Sequence, residues 1–193
     1  MSRVVKLILG LLGVARVKIW YVRGYILKLY LSLYGCKVGK RLKCKQWPVF
    51  RSLAYKSIVV GDDVSIGYRI TLETVPGGII RLENSVQLTQ DILISARELV
   101  HLGEYVGIAE YVSIRDSDHE IKRGIIPHRQ GHIVQKVAIA RGAGVGRGCA
   151  ILRGSQIAEG ALIGANTIIM RGFVCVENGI YFGNPPRLIG IRR

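Results

Sequence analysis

A six-residue repeat runs through residues 137–173 and limits the folds that this sequence can adopt. Three kinds of position recur in phase: an aliphatic residue, a small residue two places earlier, and Gly or Asn three places later. The members are Ile139, Val145, Ile151, Ile157, Ile163 and Ile169; Val137, Ala143, Cys149, Ser155, Ala161 and Thr167; and Gly142, Gly148, Gly154, Gly160, Asn166 and Gly172. A period of six fits neither an α-helix nor one long strand, and it indicates a solenoid of short strands and turns. We expect the aliphatic side chains to point inward, and Gly or Asn to occupy turns with positive φ.

This repeat resembles the left-handed parallel β-helix of hexapeptide-repeat acyltransferases, in which three units form one triangular coil. The same phase extends irregularly upstream from Val38, with extra residues near Pro76 and Glu98. The sequence therefore predicts an all-β solenoid with an N-terminal helical segment and a C-terminal tail. We assign residues 1–35 to a basic amphipathic helical segment, residues 36–173 to the left-handed β-helix with an inserted loop at 115–136, and residues 174–193 to the tail.

Positive charge is concentrated at the N-terminus. Of the 28 Lys and Arg residues, 13 precede the first acidic residue, Asp62, whereas the rest of the chain carries 15 basic and 13 acidic residues. Residues 4–34 are also apolar, but their longest uncharged run is nine residues, and a bilayer span needs about 20. Two interpretations remain open: an amphipathic helix in peripheral contact with an anionic membrane through residues 1–34, or a cap on the end of the solenoid. No nucleic-acid motif accompanies the charge, so we expect no nucleic-acid partner.

The inserted loop at 115–136 interrupts the repeat with a polar segment that holds three of the four histidines. A long excursion from a regular scaffold is a frequent location of functional residues. His119 lies at its start, beside Asp116 and Asp118, and a carboxylate can orient a histidine that acts as a general base. The sequence does not decide which of the two aspartates would do so. The four cysteines form no CxxC pair, which favours a reducing cytoplasm over a disulfide-forming compartment.

A closer resemblance follows from the order of three features: the segment LGEYVGIAEYVSIRDSDH, the regular coils after the loop, and the tail motif GNPPR. This order is similar to that of the maltose, serine and polysaccharide O-acetyltransferases. The resemblance implies a homotrimer with acetyl-CoA as donor, active sites in clefts between subunits, and direct transfer without an acyl-enzyme. It places His119 at the catalytic position and Asp91 at a position that lines the acceptor site.

The same resemblance assigns cofactor contacts. Gly146, Arg147 and Ala165 match positions along the pantetheine arm, while Arg171 and Arg187 match positions that meet CoA phosphates. Gly144 stands where many relatives have Trp, which leaves more room at the acyl end of the cleft and leaves the acyl chain length open.

The sequence thus predicts an acetyl-CoA-dependent sugar O-acetyltransferase, cytoplasmic or peripheral on the inner face of the cell membrane, that acts in surface polysaccharide biosynthesis. N-acetylation of an amino sugar is the main alternative, and a non-catalytic solenoid is a second. A zinc enzyme of the same fold is a third, because His101 and His119 lie 18 residues apart, the length of one regular coil. We expect no metal, because this spacing does not match that of the zinc family with this fold.

Overall fold

The structure of the protein, a computed structural model, describes residues 3–193, without the side chains of residues 3, 4, 6–8, 11 and 127. One long helix, α1 (Arg3–Leu33), precedes the strands. In chain order the strands are β1 (Lys37–Val38), β2 (Lys43–Cys44), β3 (Val49–Phe50), β4 (Ile58–Val60), β5 (Ser65–Tyr68), β6 (Thr71–Thr74), β7 (Ile79–Leu82), β8 (Gln87–Gln90), β9 (Leu93–Ala96), β10 (Leu99–Leu102), β11 (Gly107–Ile108), β12 (Ser113–Arg115), β13 (Ser117–His119), β14 (His132–Val134), β15 (Val137–Ile139), β16 (Gly144–Val145), β17 (Ala150–Ile151), β18 (Gln156–Ile157), β19 (Leu162–Ile163), β20 (Ile168–Ile169), β21 (Gly179–Phe182) and β22 (Arg187–Ile191). A 3₁₀ turn, Pro127–Arg129, lies between β13 and β14.

The strands form a parallel β-solenoid of about seven turns with three faces, which confirms the predicted left-handed β-helix. Face A stacks β1, β4, β7, β10, β15 and β18; face B stacks β2, β5, β8, β11, β16, β19 and β21; face C stacks β3, β6, β9, β12, β17 and β20. Each of the first six coils contributes one strand to each face and the last contributes β21 to face B, so residues at equal phase lie directly above one another.

The three repeat positions have the predicted environments. Every aliphatic member from Ile139 to Ile169 is buried, and so is every small member from Val137 to Thr167. The Gly and Asn members all have positive φ, between 57° at Asn166 and 74° at Gly154. Burial of one aliphatic side chain per strand stabilises the solenoid by roughly 1.5–3 kcal/mol for each side chain.

The irregular upstream phase also continues in register. Val60, Leu82, Leu102 and Ile139 are successive partners on face A and are all buried. The phase is harder to see in the sequence because the coils differ in length. Partners are 22 residues apart from Ile58 to Ile80, 20 apart from Ile79 to Leu99, and 18 apart in the last coils.

Helix α1 meets the first coil through its C-terminal half, beginning at Trp20 and Tyr21, whose rings lie 5.2 Å from Lys45 and 5.4 Å from Lys43. Leu27 and Leu31 are buried, and a Cβ on Gly24 would lie 1.8 Å from the carbonyl oxygen of Leu42. Arg23 donates to the carbonyl oxygen of Lys45 at 2.6 Å. The helix therefore caps the open edge of the solenoid, as one of the two interpretations predicts.

Most of α1 N-terminal to Gly24 does not pack on the solenoid. Its exposed apolar side chains include Leu9, Leu12, Val14, Val17, Ile19 and Val22. Within residues 3–193 we find no helix of the length and apolarity needed to cross a membrane.

The C-terminal end continues the solenoid beyond residue 173, where the sequence predicts that the repeat stops. Tyr181 of β21 pairs in parallel with Ile163 and is buried, and Cys175 is buried as well. Strand β22 then folds back antiparallel on β21. Cys175 and Tyr181 stand at aliphatic positions of the repeat, and this concealed the last coil in the sequence, although Asn178 keeps the positive φ of the turn position.

Candidate functional site

The loop at 115–136 leaves the coil after β12 and forms an antiparallel hairpin of β13 and β14 at the corner between faces C and A. In this hairpin His119 pairs with His132, and their ring centroids are 4.2 Å apart with an interplanar angle of 40°. The hairpin therefore places two imidazoles side by side above the end of face C.

A cavity of about 220 Å³ lies beneath this pair of imidazoles. The hairpin contributes Ser117, Asp118, His119 and His132 to its lining, and Glu73, Ser95 and Arg115 of face C and the nearby Arg97 complete its polar surface. Glu73, Ser95 and Arg115 are successive partners across three strands, so they form one outward-facing column. The cavity thus joins a candidate base with several charged side chains.

Asp118 lines the cavity with His119, and its carboxylate binds two arginines. Its Oδ2 atom accepts from Nε of Arg153 at 3.0 Å and from Nε of Arg171 at 2.5 Å. Arg153 also donates to the side-chain carbonyl of Gln135, on the far side of the hairpin. These contacts fasten the hairpin to the regular coils below it, and they place the predicted CoA contact Arg171 close to the His119 cavity.

Asp116 has a different environment from Asp118. Its side chain is fully buried, and its carboxylate accepts from the backbone N–H groups of Arg97 (2.8 and 3.0 Å), Glu98 (2.7 Å) and Leu99 (2.9 Å). Asp116 therefore stabilises the backbone of residues 97–99, at the corner where the coil has its extra residues near Glu98. These hydrogen bonds direct its carboxylate to the backbone of the preceding coil.

The electrostatic environment of His132 favours its neutral form. Burial lowers the pKa of His132 below its ordinary value, and the positive charges of Arg97 and then of His119 lower it further. Near neutral pH His132 is therefore an uncharged neighbour of His119, able to accept or donate one hydrogen bond.

The predicted acceptor-site residue Asp91 lies at a different corner, between faces B and C, with φ of 53°. Arg69 donates to both of its carboxylate oxygens, at 2.5 and 2.6 Å, and this pairing lowers the pKa of Asp91. Asp91 lines a separate depression with Arg51 and Thr71. Within one chain it is not brought together with His119.

A wide, mostly apolar trough of about 520 Å³ runs along the outside of face B. Its floor includes Gly107, Gly144 and Gly146, with Leu162 and Ile180 at one end. A Cβ on Gly107 would meet no atom within 4 Å and would project into open space. A side chain at Gly107 would therefore occupy the trough, whereas glycine leaves it open to a ligand.

The other predicted cofactor residues are distributed around this trough. Gly146 lines it, and a Cβ there would lie 2.8 Å from the backbone nitrogen of Ala165, so the close approach of the two coils requires glycine. Arg147 lies 3.6 Å from Glu110 and 5.5 Å from the ring of Tyr111. Ala165 is exposed beside the trough, and Arg187 is exposed at the start of β22.

The cysteines are buried thiols. Burial raises the pKa of Cys44 to about 11 and that of Cys175 to about 12, and it also raises that of Cys149. A thiol with a raised pKa is a poor nucleophile at neutral pH, so these three thiols are poor candidates for an acyl-enzyme.

His101 and His119, the two residues of the zinc hypothesis, have different neighbours on different parts of the solenoid. His101 lies on face A and contacts Glu83 at 3.2 Å, whereas His119 pairs with His132 in the hairpin. In the part of the chain that the structure describes, no group of three or more His, Cys, Asp or Glu side chains could hold a metal ion.

Sequence reasoning missed His132, Arg97 and Arg115 as members of the cavity. Arg115 had a signal, because it follows the inward-facing Ile114 and must point outward above Ser95. The pairing of His132 with His119 depends on the register of a hairpin within an irregular loop, which the repeat cannot specify.

Comparison with solved structures identifies the same fold in acyltransferases. An amino-acid variant of AntD, an N-acyltransferase from Bacillus cereus in complex with dTDP and coenzyme A, superimposes with a TM-score of 0.68 at 17% identity, covering 81% of this chain and 84% of that chain. AntD in complex with dTDP and 3-hydroxybutyryl-CoA gives 0.55 at 16% identity, covering 86% and 88%. The product of the BC4754 gene of Bacillus cereus, described as an acetyltransferase, gives 0.57 at 18% identity, covering 81% and 74%.

No family model and no curated protein matches the sequence. At these identities the likeness shows the fold alone, a β-solenoid that these proteins share with this chain.

Proposed function

We propose that this protein is an acyl-CoA-dependent acyltransferase that modifies a sugar, with His119 as the general base. The observation that carries the proposal is the cavity beneath the His119–His132 pair, where the irregular hairpin leaves an otherwise regular solenoid. An acyltransferase needs a base beside the acceptor and a groove that holds the donor, and the chain provides a candidate for each. The solved structures with this fold support the assignment, since their proteins are described as acyltransferases.

His119 acts on the acceptor in this proposal. Its imidazole nitrogen takes the proton of an acceptor hydroxyl or amino group while that oxygen or nitrogen attacks the carbonyl carbon of the thioester. The new acyl bond forms, the carbon–sulfur bond breaks, and the imidazolium returns the proton to the departing thiolate of CoA. The two substrates are held side by side, which supplies part of the rate acceleration through proximity.

The surrounding residues have positioning roles in this scheme. His132 packs against His119 and stays neutral near pH 7, so it adds no positive charge that would oppose proton uptake. Asp118, through Arg153 and Arg171, holds the hairpin in place and with it the ring of His119. Asp116 acts further away, by fixing the corner from which the hairpin starts.

The donor is assigned to the trough on face B, with Gly146, Arg147 and Ala165 along it and Arg187 available for a phosphate. Arg171, the other residue expected to meet a CoA phosphate, pairs with Asp118 beside the His119 cavity. Bound there, acetyl-CoA or a longer acyl-CoA would supply the activated acyl group. The trough lies on face B, whereas His119 follows face C at the corner with face A. One chain therefore does not place its own trough beside its own His119.

A homotrimer resolves this separation. Threefold association would set the trough of one chain against the hairpin of its neighbour, so that each cleft takes its base from one subunit and its donor groove from another. The same arrangement would allow Asp91 and His119 to contribute to one acceptor site from different subunits.

The acceptor atom is assigned to a sugar hydroxyl in a surface-polysaccharide precursor, on the strength of the O-acetyltransferase-like sequence motifs. N-acylation is the second candidate, and it is favoured by the structural likeness to AntD, an N-acyltransferase. Incubation with acetyl-CoA and a panel of neutral and amino sugars tests both functions. An ester product is hydrolysed by mild base and an amide product is not, and the absence of any acylated sugar would refute both.

We also propose that α1 binds an anionic membrane surface. Its exposed side chains combine apolar residues, such as Leu12 and Val22, with Arg16 and Lys18, and residues 1–61 contain no acidic residue. An exposed helix of this composition binds at the boundary of lipid headgroups and acyl chains. The membrane would be the inner face of the cell membrane, where lipid-linked precursors of surface polysaccharides are accessible to a cytoplasmic enzyme.

A further inference from the structure

We infer that the acceptor carries an acidic group, a carboxylate or a phosphate, which Arg97 and Arg115 bind beside His119. This inference rests on the proposed function, because it assigns the His119 cavity to the acceptor. It goes further by naming the charge of the acceptor and two residues that recognise it.

The first argument is that these two arginines lack protein partners. Most outward-facing arginines at the corners pair with a carboxylate of a neighbouring coil, as Arg41 does with Asp63 and Arg69 with Asp91. In contrast, no ion pair and no side-chain hydrogen bond of Arg97 or Arg115 occurs in the part of the chain that the structure describes. Both side chains are half-buried and line the cavity.

The second argument is the composition of the column beneath Arg115. Its partner in register is Ser95, whose own partner is Glu73. The backbones of Glu73 and Arg115 are therefore two strand spacings, about 9.5 Å, apart across the sheet, and the Glu73 carboxylate lies 3.9 Å from Arg51 on its other side. The small Ser95 leaves space between the two charged residues, and Arg115 lines the cavity there without an ion pair.

The third argument concerns the remaining charges of the cavity. The carboxylate of Asp118 is shared by Arg153 and Arg171, so it does not neutralise Arg97 or Arg115. The carboxylate of Asp116 is directed to backbone N–H groups. His132 is predominantly neutral near pH 7, because its pKa is lowered by burial and by Arg97. The carboxylate of Glu73 also lines the cavity, and it lies 3.9 Å from Arg51. The lining therefore presents two guanidinium groups that have no ion-pair partner of their own, an environment that binds an anion.

The anion belongs to the acceptor rather than to the donor. A group next to His119 must lie close to the reacting hydroxyl or amine, whereas the phosphates of CoA lie at the opposite end of the pantetheine arm from the thioester. The cavity, at about 220 Å³, is also smaller than the roughly 300 Å³ at which pockets for drug-sized ligands begin. It accommodates a single acidic sugar residue better than a nucleotide.

The test measures binding independently of catalysis. The imidazole signals of His119 and His132 are followed by NMR while the full-length protein is titrated with glucose, glucuronate or glucose 1-phosphate. We expect at least one of the anionic sugars to bind on the order of tenfold more tightly than glucose. Whichever anion binds more tightly identifies the acidic group as a carboxylate or a phosphate.

Variants assign this preference to the two arginines. Arg97→Gln and Arg115→Gln should each remove it, while Arg115→Lys, which keeps the charge, should retain part of it. Arg81→Gln is the matched control, because it removes an equal charge from an exposed position on face A. Equal binding of the three sugars, the absence of binding by any of them, or a preference that survives both Gln substitutions would overturn the inference.

Transfer assays on the same sugars separate this inference from the proposed function. Anionic sugars that bind without ever being acylated would refute the acyltransferase and leave the anion site intact. Equal acylation of neutral and anionic sugars would refute the anion site and leave the acyltransferase intact.

Discussion

Asp116 and Asp118 are two residues apart in the sequence, yet their carboxylates have different partners. Asp116 is fully buried and bound by three backbone N–H groups, whereas Asp118 has a side-chain exposure of 22% and binds two arginines. The difference follows from the turn that starts the hairpin, which directs the first side chain into the corner and the second into the cavity. Each aspartate therefore supports the site by fixing backbone position.

Replacement of Asp116 by Asn should destabilise the protein strongly. An amide presents an N–H group where the carboxylate accepted hydrogen bonds, and it removes the charge that the N–H groups of residues 97–99 stabilise. We expect a loss of about 2–4 kcal/mol in the free energy of unfolding, measured by urea denaturation. Asp118→Asn is the matched control and should lose about 1 kcal/mol or less. Equal losses would contradict the structural role of Asp116.

The titration of His132 provides a second prediction at this scale. Because its pKa is lowered by burial and then by Arg97, its imidazole should titrate below about 6.5, the ordinary value for histidine. The unfolded chain then binds the proton more readily, so the contribution of His132 to stability should fall as the pH drops below that value. Arg97→Gln should raise the pKa measured by NMR, and Arg81→Gln should leave it unchanged. A titration at or above the ordinary value would show that Arg97 does not face this imidazole.

At the scale of the elements, the solenoid was predictable and the hairpin was not. The burial of Ile139, Val145 and Ile151 could be predicted because these residues recur every six positions. Each coil imposes the same geometry on its strands. The hairpin has no such repetition, and the pairing of His119 with His132 results from its register. The catalytic candidate could therefore be located from its place at the end of a coil, but the residues around it could not.

Helix α1 is a second element whose packing could not be predicted from the sequence. Its apolar and basic composition allowed both a cap and a membrane-binding segment. In the structure Leu27 and Leu31 form the cap, while the more N-terminal side chains, Leu12 and Val22 among them, are exposed. Composition alone could not show which part of the helix packs on the solenoid.

The exposed part of α1 should bind anionic lipid. Full-length protein should float with vesicles that contain phosphatidylglycerol and remain unbound to pure phosphatidylcholine vesicles, and added salt should weaken the binding. The double variant Leu12→Gln, Val22→Gln should lose flotation, because both side chains are more than half exposed, at 60% and 58%, and neither supports the solenoid. Leu188→Gln, a similarly exposed position in β22, is the control. Unchanged flotation of the double variant, or no flotation of the wild type, would refute membrane binding by α1.

At the scale of the whole molecule, the trough on face B and the candidate base lie on different sides of the coil. Gly107 and Gly146 line the trough on face B, and His119 lies at the corner between faces C and A. Because of this separation, we expect an active site that is shared between subunits. Neither the sequence repeat nor the structure of a single chain shows such a site directly.

A mixture of two inactive variants tests the shared site. Gly107→Leu should fill the trough without a clash, because a Cβ at this glycine meets no atom within 4 Å, and His119→Ala should remove the base. Each variant alone should be inactive, while trimers reassembled from an equal mixture should recover on the order of a quarter of wild-type activity, the statistical share of clefts with both intact parts. No recovery from mixed trimers would show that each chain carries a complete site.

The central claim is that His119 removes a proton from a sugar acceptor during acyl transfer from CoA. The most direct measurement is the release of the CoA thiol from acetyl-CoA in the presence and absence of sugar acceptors, by the wild type and by His119→Ala, with donor affinity measured separately. We predict that the wild type releases thiol only with an acceptor, and that His119→Ala lowers kcat by about 10²–10⁴-fold while donor affinity is unchanged. Turnover by His119→Ala at the wild-type rate, or no acceptor-dependent thiol release by the wild type, would contradict the claim.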